Sequence, residues 1–306
     1  MDEDNIAMAC ITVVWIFGLV SNSLSLYITR TSSYFRNAFG ILCSSFLVCN
    51  LQSISVLFTW CAIVLATKLP ILSTPELFIT RLIGVLVNGT YYGSLFSHFF
   101  IALNRFCAVA YPIRYRQLWS QSRALIAGII SYTLGTTFCM IHLYKDCSLL
   151  FNQSSNYCFF YGDSFHGNMC RSADAIGSVS LIASMACIDF ITLIKILAYR
   201  RKSQRNTTTS TSDTINEREI IFFKQSCLIS FIYITVTTVN MTHPLLFANK
   251  WLLFLSSTIS WMLLQSVEGC VLLIFNRKVI WKSGLRRAVT TAPATTIFRL
   301  QIFSKS

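Results

Sequence analysis

Two carboxylic acids, Asp189 and Glu268, stand inside long apolar runs of this 306-residue chain. An ionisable group at membrane depth is costly, so it faces a protein interior or a water-filled path and by default carries function. Coupling an ion or a proton to transport is one chemistry open to such a pair. The plainer alternative is a neutral carboxyl hydrogen-bonded to a neighbouring helix. His98 sits in a third apolar run and could reach Asp189, although a satisfied buried histidine accounts for it equally well. Asn22 and Asn50 are amides in runs of the same kind. No hydrolase constellation, phosphate-binding loop or paired C-x2-C zinc spacing accompanies these residues. The chain therefore reads as a non-enzyme with no metal and no cofactor.

A different chemistry attaches to Arg105, which lies near the end of an apolar run and ahead of a basic loop. At the edge of hydrocarbon an arginine must find a partner, reach the headgroups or face a cavity. Snorkelling from a helix end is the simple account. Pro112 lacks an amide hydrogen, so the helix carrying Arg105 is expected to end near Tyr111.

The elements that must hold these groups follow from composition. Apolar residues make up 54% of the chain and charged residues 12%, about half the charged share of a soluble domain. The net charge of +13 could suggest nucleic acid, but no basic stripe with interleaved aromatics exists, so nucleic acid is excluded as a partner. The basic residues fall between apolar runs, which suits a lipid bilayer with an anionic inner leaflet. Those runs predict seven helices at about 6–29, 38–66, 78–111, 124–144, 175–199, 218–246 and 251–275, each long enough for roughly 30 Å of hydrocarbon. The first run has no positive residues before it and exceeds a signal-peptide core, so it reads as a retained helix. With the N-terminus extracellular, only Lys68, Arg81, Lys145, Arg171 and Lys250 lie outside among the 25 Lys and Arg. That skew fixes the expected orientation. The fold class is an all-α membrane bundle.

The long segment 145–174 holds Cys147, Cys158 and Cys170 and the sequon Asn152-Gln153-Ser154. Three cysteines allow one bridge. Cys147–Cys170 would tether both flanking helix ends, and Cys147–Cys158 is the alternative. Asn152 is the credible glycosylation site, because it alone among the sequons falls in an outer loop. Thr207 to Thr214 reads either as a phosphorylation cluster beside Arg200-Arg201-Lys202 or as a flexible polar loop. Residues 277–289 place Lys278, Lys282 and Arg286 apart from Trp281, Leu285 and Ala288, a pattern for a helix lying on the inner leaflet. Residues 290–306 would form a cytoplasmic tail.

Asn104-Arg105-Phe106, Ala108-Val109, Pro112-Ile113 and Tyr115 stand in register with the Asp-Arg-Tyr end of the third transmembrane helix in rhodopsin-like receptors. Together with the stretch from Arg36 to Cys43, Asn50 and the stretch from Glu268 to Arg277, nearly the whole chain resembles a nematode serpentine chemoreceptor, most like class X. The resemblance implies a G-protein-coupled receptor in the ciliary plasma membrane of a chemosensory neuron, with a heterotrimeric G protein and a small-molecule ligand as partners. Asn104, Arg105, Phe106 and Pro112 would carry the coupling. The ligand pocket is expected in the outer half, lined by the third, fifth, sixth and seventh helices. Mainly apolar and aromatic residues are available there, so small odorants fit better than charged solutes. The transporter reading, built on Asp189 and Glu268, lacks the matching halves or paired broken helices common in transporters.

The chain departs from the wider rhodopsin-like pattern. Asn104 replaces the acid beside the arginine, Glu268-Gly269 replaces an Asn-Pro or Asp-Pro pair, and no cysteine lies near Thr80 for the usual bridge. Asn22, Asn50 and Glu268 lie at similar depths, roughly 10–18 Å from the inner face. Their helices are neighbours in the fold that the resemblance implies, so they are expected to converge in a polar cluster. The similar receptors carry an acid on the second helix and an amide on the seventh. Here the two are exchanged, which keeps one carboxyl for a cation or a titrating proton. Separate helix–helix hydrogen bonds are the alternative.

Overall fold

The computed structural model describes residues 3–153, 156–205, 217–246 and 249–277. The Thr207–Thr214 cluster, the amphipathic tail from Lys278 onward and the segment 290–306 lie outside the described residues.

Seven helices are long and apolar enough to cross a membrane. They are α1 (Glu3–Thr31), α2 (Ala38–Thr67), α3 (Phe78–Ala110), α4 (Gln121–Cys139), α5 (Phe165–Arg205), α6 (Glu217–Leu246) and α7 (Lys250–Phe275). Local chemistry sets several of their ends. Asn37 accepts the Gly40 amide at 3.0 Å to start α2, and Ser120 accepts that of Arg123 at 3.3 Å to start α4. Such caps satisfy amides that have no partner within the helix. α3 stops at Ala110, and Pro112 opens a separate short helix, Pro112–Leu118. Proline suits a first helical turn, where its missing amide hydrogen costs nothing.

α3 runs through the middle of the bundle. α2, α4, α5 and α6 pack on it, and α1 is held between α2 and α7. Small residues allow the close approaches, as is usual for membrane helices. A Cβ on Gly135 of α4 would meet Gly93 N at 2.5 Å and Gly89 O at 2.6 Å on α3. A Cβ on Gly269 of α7 would meet Asn22 N at 2.8 Å on α1. Large apolar side chains such as Val13, Ile126, Phe190 and Ile274 point outward, as a hydrocarbon solvent allows.

The segment between α4 and α5 differs from a plain polar loop. β1 (Leu149–Asn152) and β2 (Cys158–Tyr161) pair antiparallel, with Leu149 opposite Tyr161 and Asn152 opposite Cys158. Phe151 is fully buried under this hairpin, in a core with Leu57, Trp60 and Met262. Tyr157 adopts a positive φ of 53° and donates its hydroxyl to Asp4 at 2.9 Å. Burial, and then the hydrogen bond to Asp4, push its phenol up to about 12, so it remains a donor at ordinary pH. α5 begins at Phe165, well ahead of the expected 175. Cys147 and Cys170 are joined by a disulfide with Cα atoms 5.5 Å apart, which ties the first turns of α5 to the hairpin's approach. α7 contains one π turn, Leu255–Ile259. It faces the hairpin, where Thr258 donates to Tyr157 O at 2.8 Å.

Candidate functional site

Three groups of side chains follow α3 along its length. Tyr91, His98 and Arg105 are spaced by seven residues, so they recur on nearly one face, about 10 Å apart along the axis.

At the hairpin end is a cavity of about 830 Å³. Tyr91 of α3, Trp261 and Leu264 of α7 and Val236 of α6 supply apolar lining. Asn88, Asp174, Asn240 and Arg171 supply polar groups, and the hairpin contributes more. The expectation of a mainly apolar lining is therefore corrected. Besides Asn88 of α3 and Asn240 of α6, the polar side chains come from the hairpin and from the early turns of α5, which hydropathy assigns to a loop. Asn88 Nδ2 donates to Asp174 Oδ1 at 2.9 Å and lies 3.0 Å from His142 Nε2. His142 Nδ1 lies 2.9 Å from Cys147 O. A carbonyl only accepts, so Nδ1 carries the hydrogen and Nε2 accepts from Asn88. Tyr92 donates to Asp174 O at 2.7 Å. α3, α4 and α5 are thus joined beside the cavity.

Midway along α3, Glu268 of α7 gathers a polar core. Its Oε2 receives Asn50 Nδ2 of α2 at 2.7 Å, His98 Nε2 at 2.9 Å and Ser94 Oγ at 3.4 Å. Glu268 is 2% exposed and His98 4%. The His98 ring lies 4.5 Å from that of Phe46 and 5.5 Å from that of Tyr233. Two acceptors of this core, Glu268 Oε1 and Asn50 Oδ1, are buried with no hydrogen-bond partner among the described residues.

The structure brings Asn50 and Glu268 together but not Asn22. The Asn22 amide donates instead to Gly18 O at 2.8 Å and to Gln265 O at 3.1 Å. The cause is the close α1–α7 contact at Gly269, which presses Asn22 against the α7 main chain. His98 and Asp189 likewise separate. Asp189 accepts from Ser226 at 3.2 Å and from Ser230 at 2.9 Å, both on α6. Of the two expectations for His98, a reach to Asp189 or a satisfied buried histidine, the second is observed, with Glu268 as the partner.

At the far end Arg105 is 2% exposed. Its guanidinium carbon lies 4.4 Å from the ring centre of Phe39 on α2 and 5.0 Å from that of Phe222 on α6. The two rings stack on each other with centres 3.9 Å apart, so the guanidinium lies against a stacked aromatic pair and gains cation–π attraction in place of lost water. Nη2 also donates to Asn104 Oδ1, and Asn104 Nδ2 donates to Tyr115 Oη at 3.2 Å. Arg105 is therefore enclosed and not presented at the surface. Phe106 packs edge-on to Tyr111, with ring centres 6.1 Å apart, and Pro112 is exposed. Phe39 lies in a stretch singled out for the resemblance, but nothing in the sequence points to its role or to Phe222.

The remaining residues are at the hairpin. Cys158 is buried and free, and the Ser257 hydroxyl lies 2.7 Å from its sulfur. Burial raises this thiol above its ordinary range, so it is an inert thiol outside the Cys147–Cys170 bridge. Asn152 closes β1, half-buried, and Ser154 of its sequon lies outside the described residues.

Two nematode proteins illustrate what the chain is similar to. Serpentine receptor class X 45 of Caenorhabditis elegans is 24% identical over 310 residues, covering 96% of this chain and 84% of that protein. Serpentine receptor class X-43 of the same organism is 26% identical over 263 residues, covering 79% and 75%. The family of serpentine-type seven-transmembrane chemoreceptors termed Srx matches residues 12–276. That match takes in the cavity's helices, the polar core and the enclosed Arg105, and so this chain belongs to the Srx family of serpentine seven-transmembrane G-protein-coupled chemoreceptors.

Proposed function

We propose that the chain binds a small ligand in the cavity under the hairpin and activates a heterotrimeric G protein at the Arg105 end. The observation that carries this reading is the layout of α3, which lines the cavity at Tyr91, enters the polar core at His98 and closes the far end at Arg105. In the orientation that the Lys and Arg distribution supports, the N-terminus and hairpin face outward and Arg105 faces the cytoplasm. The exposed Pro112 and the short helix it opens offer a contact surface. Arg105, with Asn104 and Phe106 beside it, joins that surface when its contact with the stacked Phe39–Phe222 pair breaks. The ciliary membrane of a chemosensory neuron is the setting that the family suggests.

Transport coupled through Asp189 and Glu268 is less well supported. Each carboxyl is held by its own interhelical hydrogen bonds. Guanine-nucleotide exchange, measured across a panel of heterotrimeric G proteins in membranes bearing the full chain, tests the proposal. Exchange above that of control membranes, lost in Arg105→Ala at equal surface level, is the expected result. Exchange equal to control for every G protein, with ion-coupled uptake that Asp189→Asn abolishes, would replace the receptor by the transporter.

A further inference from the structure

Arg171 and Asp174 stand one turn apart on α5, and both line the cavity. Opposite charges at this spacing are neighbours on a helix surface and commonly pair. These two do not. Asp174 turns its carboxylate to Asn88, and Arg171 has no ion pair or hydrogen bond among the described residues. Arg171 is exposed, as is a third charged group of the lining, Asp163, and water screens both, whereas Asp174 is half-buried. Asn156 Oδ1, a further cavity residue's acceptor, is buried with no hydrogen-bond partner among the described residues. The Tyr91 and Trp261 rings, which line the same cavity, meet edge to face with centres 6.0 Å apart.

An uncharged odorant would satisfy the aromatic side and leave the two opposite charges uncompensated and the Asn156 acceptor unused. A simple amine would use Asp174 and be repelled by Arg171. Resting on the reading of this cavity as the ligand site, we infer that it takes a small amino-acid-like zwitterion with an apolar or aromatic side group. The ammonium lies at Asp174, the carboxylate at Arg171 and the side group against Tyr91 and Trp261. Asn156 Oδ1 accepts a remaining N–H. The two protein charges, set one turn apart and unpaired with each other, match the two ends of an α-amino acid.

The test uses full-length receptor in nanodiscs of neutral lipid and follows its melting temperature during titration. The probes are L-phenylalanine, phenethylamine and 3-phenylpropionate, which share a ring and carry both charges, the positive one or the negative one. L-tryptophan and L-leucine extend the first class. The zwitterions are expected to stabilise the receptor, with each singly charged analogue at least about tenfold weaker. Arg171→Gln should abolish the preference for phenylalanine over phenethylamine. Asp174→Asn, which keeps the acceptor for Asn88, should abolish the preference over phenylpropionate. A merely structural role for either residue would weaken all three probes together. Equal responses to the three, a preference for either single charge, or no response to any of the amino acids would overturn the inference. Stabilisation by an uncharged odorant, removed by Trp261→Ala, would overturn it while leaving the cavity as the ligand site. Amino-acid binding without any G-protein response would instead count against the receptor reading alone.

Discussion

His98 Nε2 lies 2.9 Å from Glu268 Oε2, joining α3 to α7 at the centre of the bundle. Asn50 brings α2 to the same oxygen. One carboxyl oxygen thus holds three helices. Breaking a buried pair by removing one partner leaves the others unsatisfied, a larger loss than one membrane hydrogen bond. Glu268→Ala should therefore destabilise the receptor by about 2 kcal/mol. The double change Asn50→Asp with Glu268→Asn, which keeps one carboxyl in the core, should melt closer to the parent than Glu268→Asn alone. Thermal denaturation in detergent measures both. A Glu268→Ala variant that melts with the parent would show that the pair does not hold the helices.

The disulfide yields a stability prediction of similar size in the loop between α4 and α5. Cys147 and Cys170 are 23 residues apart, and closing a loop of this size removes chain entropy worth roughly 3 kcal/mol. Cys147→Ser and Cys170→Ser should each lower the melting temperature by the same amount, and so should reduction. Cys158→Ser should leave the protein's response to reductant unchanged. A Cys158 variant that loses the bridge would place the pairing elsewhere.

Orientation is read from Asn152. With the hairpin outside, a glycan on Asn152 makes gel mobility sensitive to glycosidase, and Asn152→Gln removes that sensitivity. Glycosidase sensitivity that persists in Asn152→Gln and vanishes in Asn206→Gln would invert the topology.

Much of this architecture is legible in the sequence because the bilayer imposes it. Apolar runs of spanning length report the seven helices directly, and Pro112 marks where α3 must stop. The meeting of Asn50 with Glu268 follows from their similar depth on helices that pack together. Depth carries no information about rotation, however. Asn22 shares the depth, but its amide is turned to the α7 main chain by the contact at Gly269. His98 and Glu268 are 170 residues apart, and hydropathy cannot tell which way a polar group points on a helix that is apolar all round. The hairpin is hidden for another reason. Leu149, Leu150 and Phe151 form too short an apolar run to signal a strand. Likewise, His166, Asn168 and Arg171 mask the start of α5, because these residues belong to a helical turn beyond the hydrocarbon and not to a loop.

The enclosure of Arg105 bears most directly on how the receptor works. The wider rhodopsin-like pattern has an acid beside this arginine. Here Asn104 stands in that place, and two rings take over the holding. A desolvated cation–π contact is worth about 2 kcal/mol, enough to shift a two-state equilibrium by roughly tenfold or more. Phe39→Leu keeps the apolar volume and removes the π face, so it should free Arg105 without emptying the core.

The deciding measurement is ligand-independent guanine-nucleotide exchange on the coupled G protein, in membranes matched for surface receptor. Phe39→Leu and Phe222→Leu should raise this exchange about tenfold over the parent, and adding Arg105→Ala to either should return it to the level of control membranes. Exchange that is the same in the parent, the leucine variants and the Arg105→Ala combinations would contradict the account, because Arg105 would then be only an anchor at the membrane edge.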